Sequence, residues 1–257
     1  MRFADPSPRR TRTGLFLAAA AAVGLAGCGA KPVPGGFNDP DEAKNREIHA
    51  FNLAVDKTVV KPLSGGYGGV IPSPLRTGVS NFAQNLDAPG DVVNNVMQGR
   101  PQNALRTTLR FVLNTTIGIG GLFDPATELG IDAKPTDFGE TLHVWGAGEG
   151  AYLVVPFLGP STERDFVGTI VDAATNPLRL ALPKPERNIP TAAKVFSRIG
   201  DRARYSETVD SVLYDSADSY AQSRLLYLQN RRFQLGQTTG AAADDDFVDP
   251  YEDLYGN

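Results

Sequence analysis

A single cysteine, Cys28, follows directly on Leu25-Ala26-Gly27, and its position constrains how everything downstream can fold. Arg9, Arg10 and Arg12 precede eleven mostly apolar residues, Leu15 to Leu25. With small residues at the cut, this is the outline of a bacterial lipobox: a signal peptide over residues 1–27, cleaved ahead of a thiol that carries acyl chains. Residues 28–37 then form a lipidated tether rich in glycine and proline. With Cys28 taken by lipid, no cysteine is left for a disulfide, a thiolate metal site or a catalytic thiol. The domain must hold by packing and hydrogen bonding alone.

Cleavage leaves 230 of the 257 residues, enough to bury a substantial core in one domain. Four arginines and one aspartate leave with the peptide, so 21 basic and 28 acidic residues remain and the net charge is −7. Six of those acids (Asp244, Asp245, Asp246, Asp249, Glu252 and Asp253) lie in residues 236–257, which contain no basic residue and read as a disordered acidic tail. The body between is therefore close to neutral. That argues against nucleic acid as a partner.

From 38 to 235 the apolar residues recur at helical spacing. Ile48, Phe51, Val55 and Val59 mark a helix that starts near Asp39-Pro40-Asp41-Glu42 and ends before Pro62, with a glycine-rich loop from Ser64 to Pro74. Leu75, Val79, Phe82 and Leu86 mark a second helix, Asp87 and Pro89 restart the chain, and Val92, Val93, Val96 and Met97 form a short helix stopping at Gly99. Pro101 opens the next. On it Leu105, Leu109, Val112 and Thr116 share one face, while Asn103, Thr107, Arg110 and Asn114 form the opposite stripe. Gly118, Gly120 and Gly121 then break the pattern and leave Ile119, Leu122 and Phe123 on a pliable loop.

The second half is also helical, with one exception. Asp124-Pro125 caps a single turn, and Phe138, Leu142 and Trp145 suggest a short helix. Tyr152 to Leu158 reads as an extended apolar segment. Ser161 caps a helix through Phe166, Ile170 and Val171 that ends at Asn176-Pro177. A long amphipathic pattern runs from Pro190 through Val195, Phe196, Ile199, Ala203, Val209 and Val212, and Ser219 to Phe233 gives the last helix. The fold class is all-α, with short irregular or extended loops.

No enzyme signature emerges. Gly146 to Ala151 formally fits a dinucleotide pattern, but an extended segment follows it where a helix amino terminus would be needed. There is no G-x-S-x-G elbow, and His49 and His143 have no recognisable catalytic neighbours, so no catalytic residue, metal ligand or cofactor is expected. No run after Cys28 approaches the roughly 18 apolar residues of a spanning helix. Attachment would rest on acyl chains and helices lying in the membrane.

Several strings taken together resemble one family. Asn45-Arg46 with Phe51-Asn52, Val79-Ser80-Asn81-Phe82 with Asn85-Leu86, Met97-Gln98-Gly99, and Arg110-Phe111 with Asn114 to Gly121 are similar to motifs of the MlaA (VacJ) outer-membrane lipoproteins. So are Asp137-Phe138-Gly139, Trp145-Gly146 and Val155 to Thr162 with Arg164-Asp165. The likeness covers about Asn38 to Phe233. Glu140 departs from the family's usual Gln or Ser, Ala151 from proline and Glu163 from an apolar residue.

The resemblance implies a flat ring of amphipathic helices around a central channel, anchored by lipid at the periplasmic face of the outer membrane. It implies a transport role without enzymatic activity. Mislocalised phospholipid would leave the outer leaflet through the channel and pass to a soluble periplasmic lipid carrier, with a trimeric porin as a second partner. Arg110 becomes a candidate phosphate contact, and Asn114, Thr115, Gly118, Gly120, Gly121 and Phe123 become candidate channel or gate residues. The alternatives are a structural or assembly lipoprotein without its own lipid path and, further off, an envelope lipid hydrolase.

Overall fold

A computed structural model describes residues 37–237, so Cys28, the tether before Phe37 and nearly all of the acidic tail lie outside the described residues. The chain divides between Val209 and Asp210 into two compact units. The architecture is mostly helical, with one two-stranded sheet among the described residues.

In the first unit α1 spans Glu42–Val55, and the chain does not stop before Pro62 as its sequence suggests. A π-helical turn, Asp56–Val60, leads straight into α2, Lys61–Val70. The wider turn shifts the hydrogen-bond ladder by one residue, Lys61 N–H donating to Asp56 O, and Pro62 falls in the first turn of α2, where no N–H is needed. Glycines expected to form a loop are thereby helical. One of them permits close packing: a Cβ on Gly68 would lie 3.1 Å from that of Ala203. Arg202 forks onto Asp56 with two bonds of 3.1 and 3.0 Å and ties this region to α9, Ile189–Arg204.

Helix α3 runs unbroken from Ser73 to Met97 with Pro89 inside it, which corrects the expected restart at Asp87. The lost backbone bond is outweighed by packing, since α3 lies against both α9 and α4, Pro101–Thr116. The short α5, Pro125–Glu128, is capped by Asp124 as its sequence suggests, and α6, Phe138–Val144, is capped by Asp137.

The extended segment becomes β1, Tyr152–Val155, paired antiparallel with β2, Gly159–Thr162, around a turn that puts Phe157 at φ 64° and Gly159 at φ 87°. Its free edge is completed by side chains of α1. Asn45 exchanges bonds with Tyr152 O (3.2 Å) and Val154 N–H (2.9 Å). Seven residues on, Asn52 does the same with Val155 O (3.0 Å) and Phe157 N–H (2.8 Å). Two asparagines two helical turns apart thus stand in for a third strand.

Helix α7, Glu163–Thr175, is capped by Thr162 and not by Ser161. It meets α6 so closely that a Cβ on Gly168 would lie 2.3 Å from Gly139 N. Two departures from the family pattern are partners here: Ala151 supplies an N–H that proline lacks, and Glu163 Oε2 accepts it at 3.0 Å. Asn176 ends α7 and caps α8, Pro177–Ala181. The long pattern begun at Pro190 is interrupted: α9 ends at Arg204, and α10, Ser206–Asp210, follows after Tyr205. The second unit holds a π-helical turn, Ser211–Asp215, and α11, Ser219–Gln234, capped by Asp218.

Candidate functional site

Helix α4 has the two faces its periodicity announces, and the polar one is inside. Arg110 and Asn114 are 8% and 7% exposed, while Leu105, Leu109 and Val112 are 62%, 47% and 49% exposed. Arg110 and Asn114 are well partnered, whereas the buried Thr107 hydroxyl on the same stripe has no hydrogen-bond partner among the described residues. Arg110 donates to Asp124 Oδ2 (2.8 Å), to Thr127 Oγ1 (3.0 Å) and to the Ile131 carbonyl. Asn114 donates to Asp124 Oδ1 at 2.8 Å and accepts from Ala126 N–H at 3.2 Å. Burial alone would raise the Asp124 pKa, but the bonds from Thr127, Arg110 and Asn114 outweigh it and hold the carboxyl below its ordinary value. Arg110 therefore clasps the segment after the glycines and does not stand free for a phosphate.

The glycine segment is a braced turn. Gly118 N–H donates to Leu113 O (3.1 Å), Gly120 N–H to Thr115 O (2.9 Å) and Phe123 N–H to Gly118 O (2.9 Å). Gly120 and Gly121 have φ of 71° and 97°, and Ile119 between α4 and them is held at φ 52°, a conformation disfavoured for a β-branched residue. Asn85 of α3 pins the turn from outside, donating to Thr115 Oγ1 (2.9 Å) and Gly120 O (3.4 Å). The predicted residues Arg110, Asn114, Thr115, Gly118, Gly120 and Gly121 are thus brought together as one bracket. Phe123, with Ile119 and Leu122, projects apolar surface outward from it.

A second polar cluster went unseen in the sequence. Asn94 donates to Asp172 Oδ1 (2.9 Å) and accepts from Thr141 Oγ1 (3.0 Å), Phe138 N–H donates to Asp172 Oδ2 (2.9 Å), and Gln98 bonds both Thr136 and Thr141. These contacts explain the Met97-Gln98-Gly99 and Asp137-Phe138-Gly139 strings as two halves of one joint. Glu140 also has a local reason, since its carboxylate pairs with Arg100 and accepts from Thr136. The signal available in sequence was the polar pair Asn94-Asn95 inside an apolar pattern.

Next to this joint, burial and then the neighbouring Asp87 push the Asp91 pKa from 3.8 up to about 8. Between those values the folded chain keeps a proton that the unfolded chain has lost, so stability falls as pH rises through that window. Asp91→Asn keeps an acceptor for the Thr136 N–H without the ionisation. It is expected to stabilise the protein at pH 7–8 by about 1–3 kcal/mol and to flatten the decline from pH 5 to 8. Thermal unfolding across that range checks this; a variant less stable than wild type at pH 8 would contradict it.

Apart from Tyr152, Val154, Tyr220 and Leu228, the buried side chains are small or polar, while many large aliphatic and aromatic ones are exposed, which defines a helical protein suited to lipid surroundings. A family model described as MlaA lipoprotein matches residues 37–234. An uncharacterised protein of Rickettsia bellii is 36% identical over 194 residues, 75% of each chain. The intermembrane phospholipid transport system lipoprotein MlaA of Escherichia coli K12 is 34% identical over 202 residues, 77% of this chain and 78% of that one. A solved structure, from work on the structural basis for maintenance of bacterial outer membrane lipid asymmetry, superposes with a TM-score of 0.67 at 31% identity. That match covers 77% of this chain and 98% of the other. The chain belongs to the MlaA lipoprotein family.

Proposed function

We propose that this protein acts in intermembrane phospholipid transport, drawing mislocalised phospholipid out of the outer leaflet of the outer membrane and passing it to a soluble periplasmic carrier. The reading includes attachment at the periplasmic face and association with a trimeric porin. The observation that carries it is the inverted burial of α4. In water, a helix with buried arginine and asparagine and exposed leucine and valine would be turned the wrong way; against hydrocarbon the exposed residues cost nothing and the polar ones are satisfied inside. Among the described residues no helix is long and apolar enough to cross a membrane, which fits helices lying in one leaflet. A phospholipid has a charged head and apolar tails, and a helical body with polar inner and apolar outer surfaces offers both.

The test is surface-exposed phospholipid in a deletion strain, with and without the restored gene. Lipid accumulating in the outer leaflet and cleared on restoration is the expected result, and unchanged asymmetry in the deletion strain would rule the function out. The anchor has its own test. Cys28→Ser is expected to give unlipidated precursor or protein lost from the outer membrane, read by detergent-phase partitioning and fractionation. Full outer-membrane recovery without acyl chains would show the anchor to be dispensable.

A further inference from the structure

Between α3 and α9 lies a cavity of about 400 Å³, within the roughly 300–1,000 Å³ range of small-molecule sites. Its walls are polar. Ser80 and Asp87 contribute from α3; Lys194, Arg198, Asp201 and Arg204, three or four residues apart and so on one stripe, contribute from α9. Of these charges only Lys194 and Asp87 are spent on one another among the described residues. Lys194 donates to Asp87 at 2.9 Å, and Arg204 reaches Thr77 only at 3.4 Å. Arg198 and Asp201 make no side-chain hydrogen bond or ion pair among the described residues. A cation and an anion, three residues apart, are left facing the same open space, with a second loosely held arginine one turn beyond Asp201.

We infer that this cavity receives a zwitterionic phosphoester headgroup, its phosphate against Arg198 and Arg204 and its primary ammonium against Asp201. The inference rests on the reading of the chain as a phospholipid carrier and goes beyond it by naming the headgroup. Two arginines suit a phosphate, which accepts several N–H bonds at once. A headgroup with only negative charge would set its phosphate beside Asp201 with nothing to offer that carboxylate. A quaternary ammonium has no N–H to donate and is favoured by an aromatic cage, whereas Tyr205 is the one aromatic side chain lining this cavity. An ammonium with three N–H donors matches a free carboxylate.

The test uses the full acylated chain purified from membranes in detergent and exchanged against an equimolar mixture of phospholipids with ethanolamine, choline and glycerol headgroups. Retained lipid is quantified by mass spectrometry. Wild type is expected to retain the ethanolamine lipid preferentially. For a solvent-accessible ion pair the preference should fall about two- to fivefold in Asp201→Asn, and Arg198→Gln should reduce retention of all three lipids. Neither side chain has a partner among the described residues, so both variants should fold; a salt titration of wild type gives a second readout, the preference declining as ionic strength rises. Inorganic phosphate and free phosphoethanolamine are added as competitors, and displacement by inorganic phosphate alone would reassign the cavity to free phosphate. Identical lipid profiles in wild type and both variants would overturn the headgroup assignment and leave lipid transport standing. Wild type retaining no phospholipid of any class would overturn both.

Discussion

Alanine at Gly118 is expected to be the most damaging single change in the glycine turn, and alanine at Gly120 the mildest. A Cβ on Gly118 would lie 2.4 Å from both Asn114 O and Phe123 O, and these are backbone atoms that cannot move without opening the turn. Overpacking against fixed backbone should cost about 3 kcal/mol or more. At Gly121 the added Cβ meets the Asn85 side chain at 2.6 Å and φ is 97°, so strain and displacement of the bracing asparagine combine to about 2 kcal/mol or more. Nothing lies within 4 Å of a Cβ on Gly120, and its φ of 71° leaves only the left-handed penalty of about 1 kcal/mol. Thermal unfolding and membrane abundance should follow that order; equal stability of all three variants would contradict it. The same series bears on the gate. If the turn only ends α4, loss of lipid asymmetry should track abundance across the series. If it moves during transport, Gly120→Ala should lose asymmetry at nearly normal abundance.

Local chemistry was legible at some element ends and missed by one residue at Ser161, where Thr162 is the cap. Asp124 caps α5 and Gly99 takes a left-handed turn at φ 68°, because each acts through backbone groups within three residues. The prolines misled. Pro62 and Pro89 read as boundaries, but a π turn re-registers the chain at the first, and at the second the packing of α3 on two neighbours outweighs one missing bond. Periodicity found both faces of α4 and could not say which one faces in, because that depends on the solvent outside. The asparagines were hardest to read: Asn45, Asn52, Asn85 and Asn94 act on strand edges, turns and carboxylates 30 to 109 positions away in the chain. Only the fold reveals such partners.

Arg110→Gln is expected to lower stability by about 2–4 kcal/mol, because it removes one partner of a largely buried pair and leaves Asp124 ionised beside Asn114 and Thr127 alone. The Asp124 side chain is 24% exposed, which keeps the cost toward the lower end. Arg110→Lys should not restore it, since a single ammonium cannot reach Asp124, Thr127 and the Ile131 carbonyl together as the planar fork does. The pH dependence separates this from a lost phosphate contact. Asp124 titrates below its ordinary value of 3.8 in the folded chain, so the stability it contributes is complete above that value and lost as pH falls through the lower folded one. Without Arg110 the folded value moves up toward 3.8, and that part of the acid-side loss shrinks. A structural clasp therefore predicts a lower melting temperature, a flatter acid limb and a lipid-asymmetry defect that recedes when abundance is restored at lower growth temperature. A variant with unchanged melting temperature, unchanged acid limb and slowed lipid transfer would return Arg110 to the lipid path as a phosphate contact.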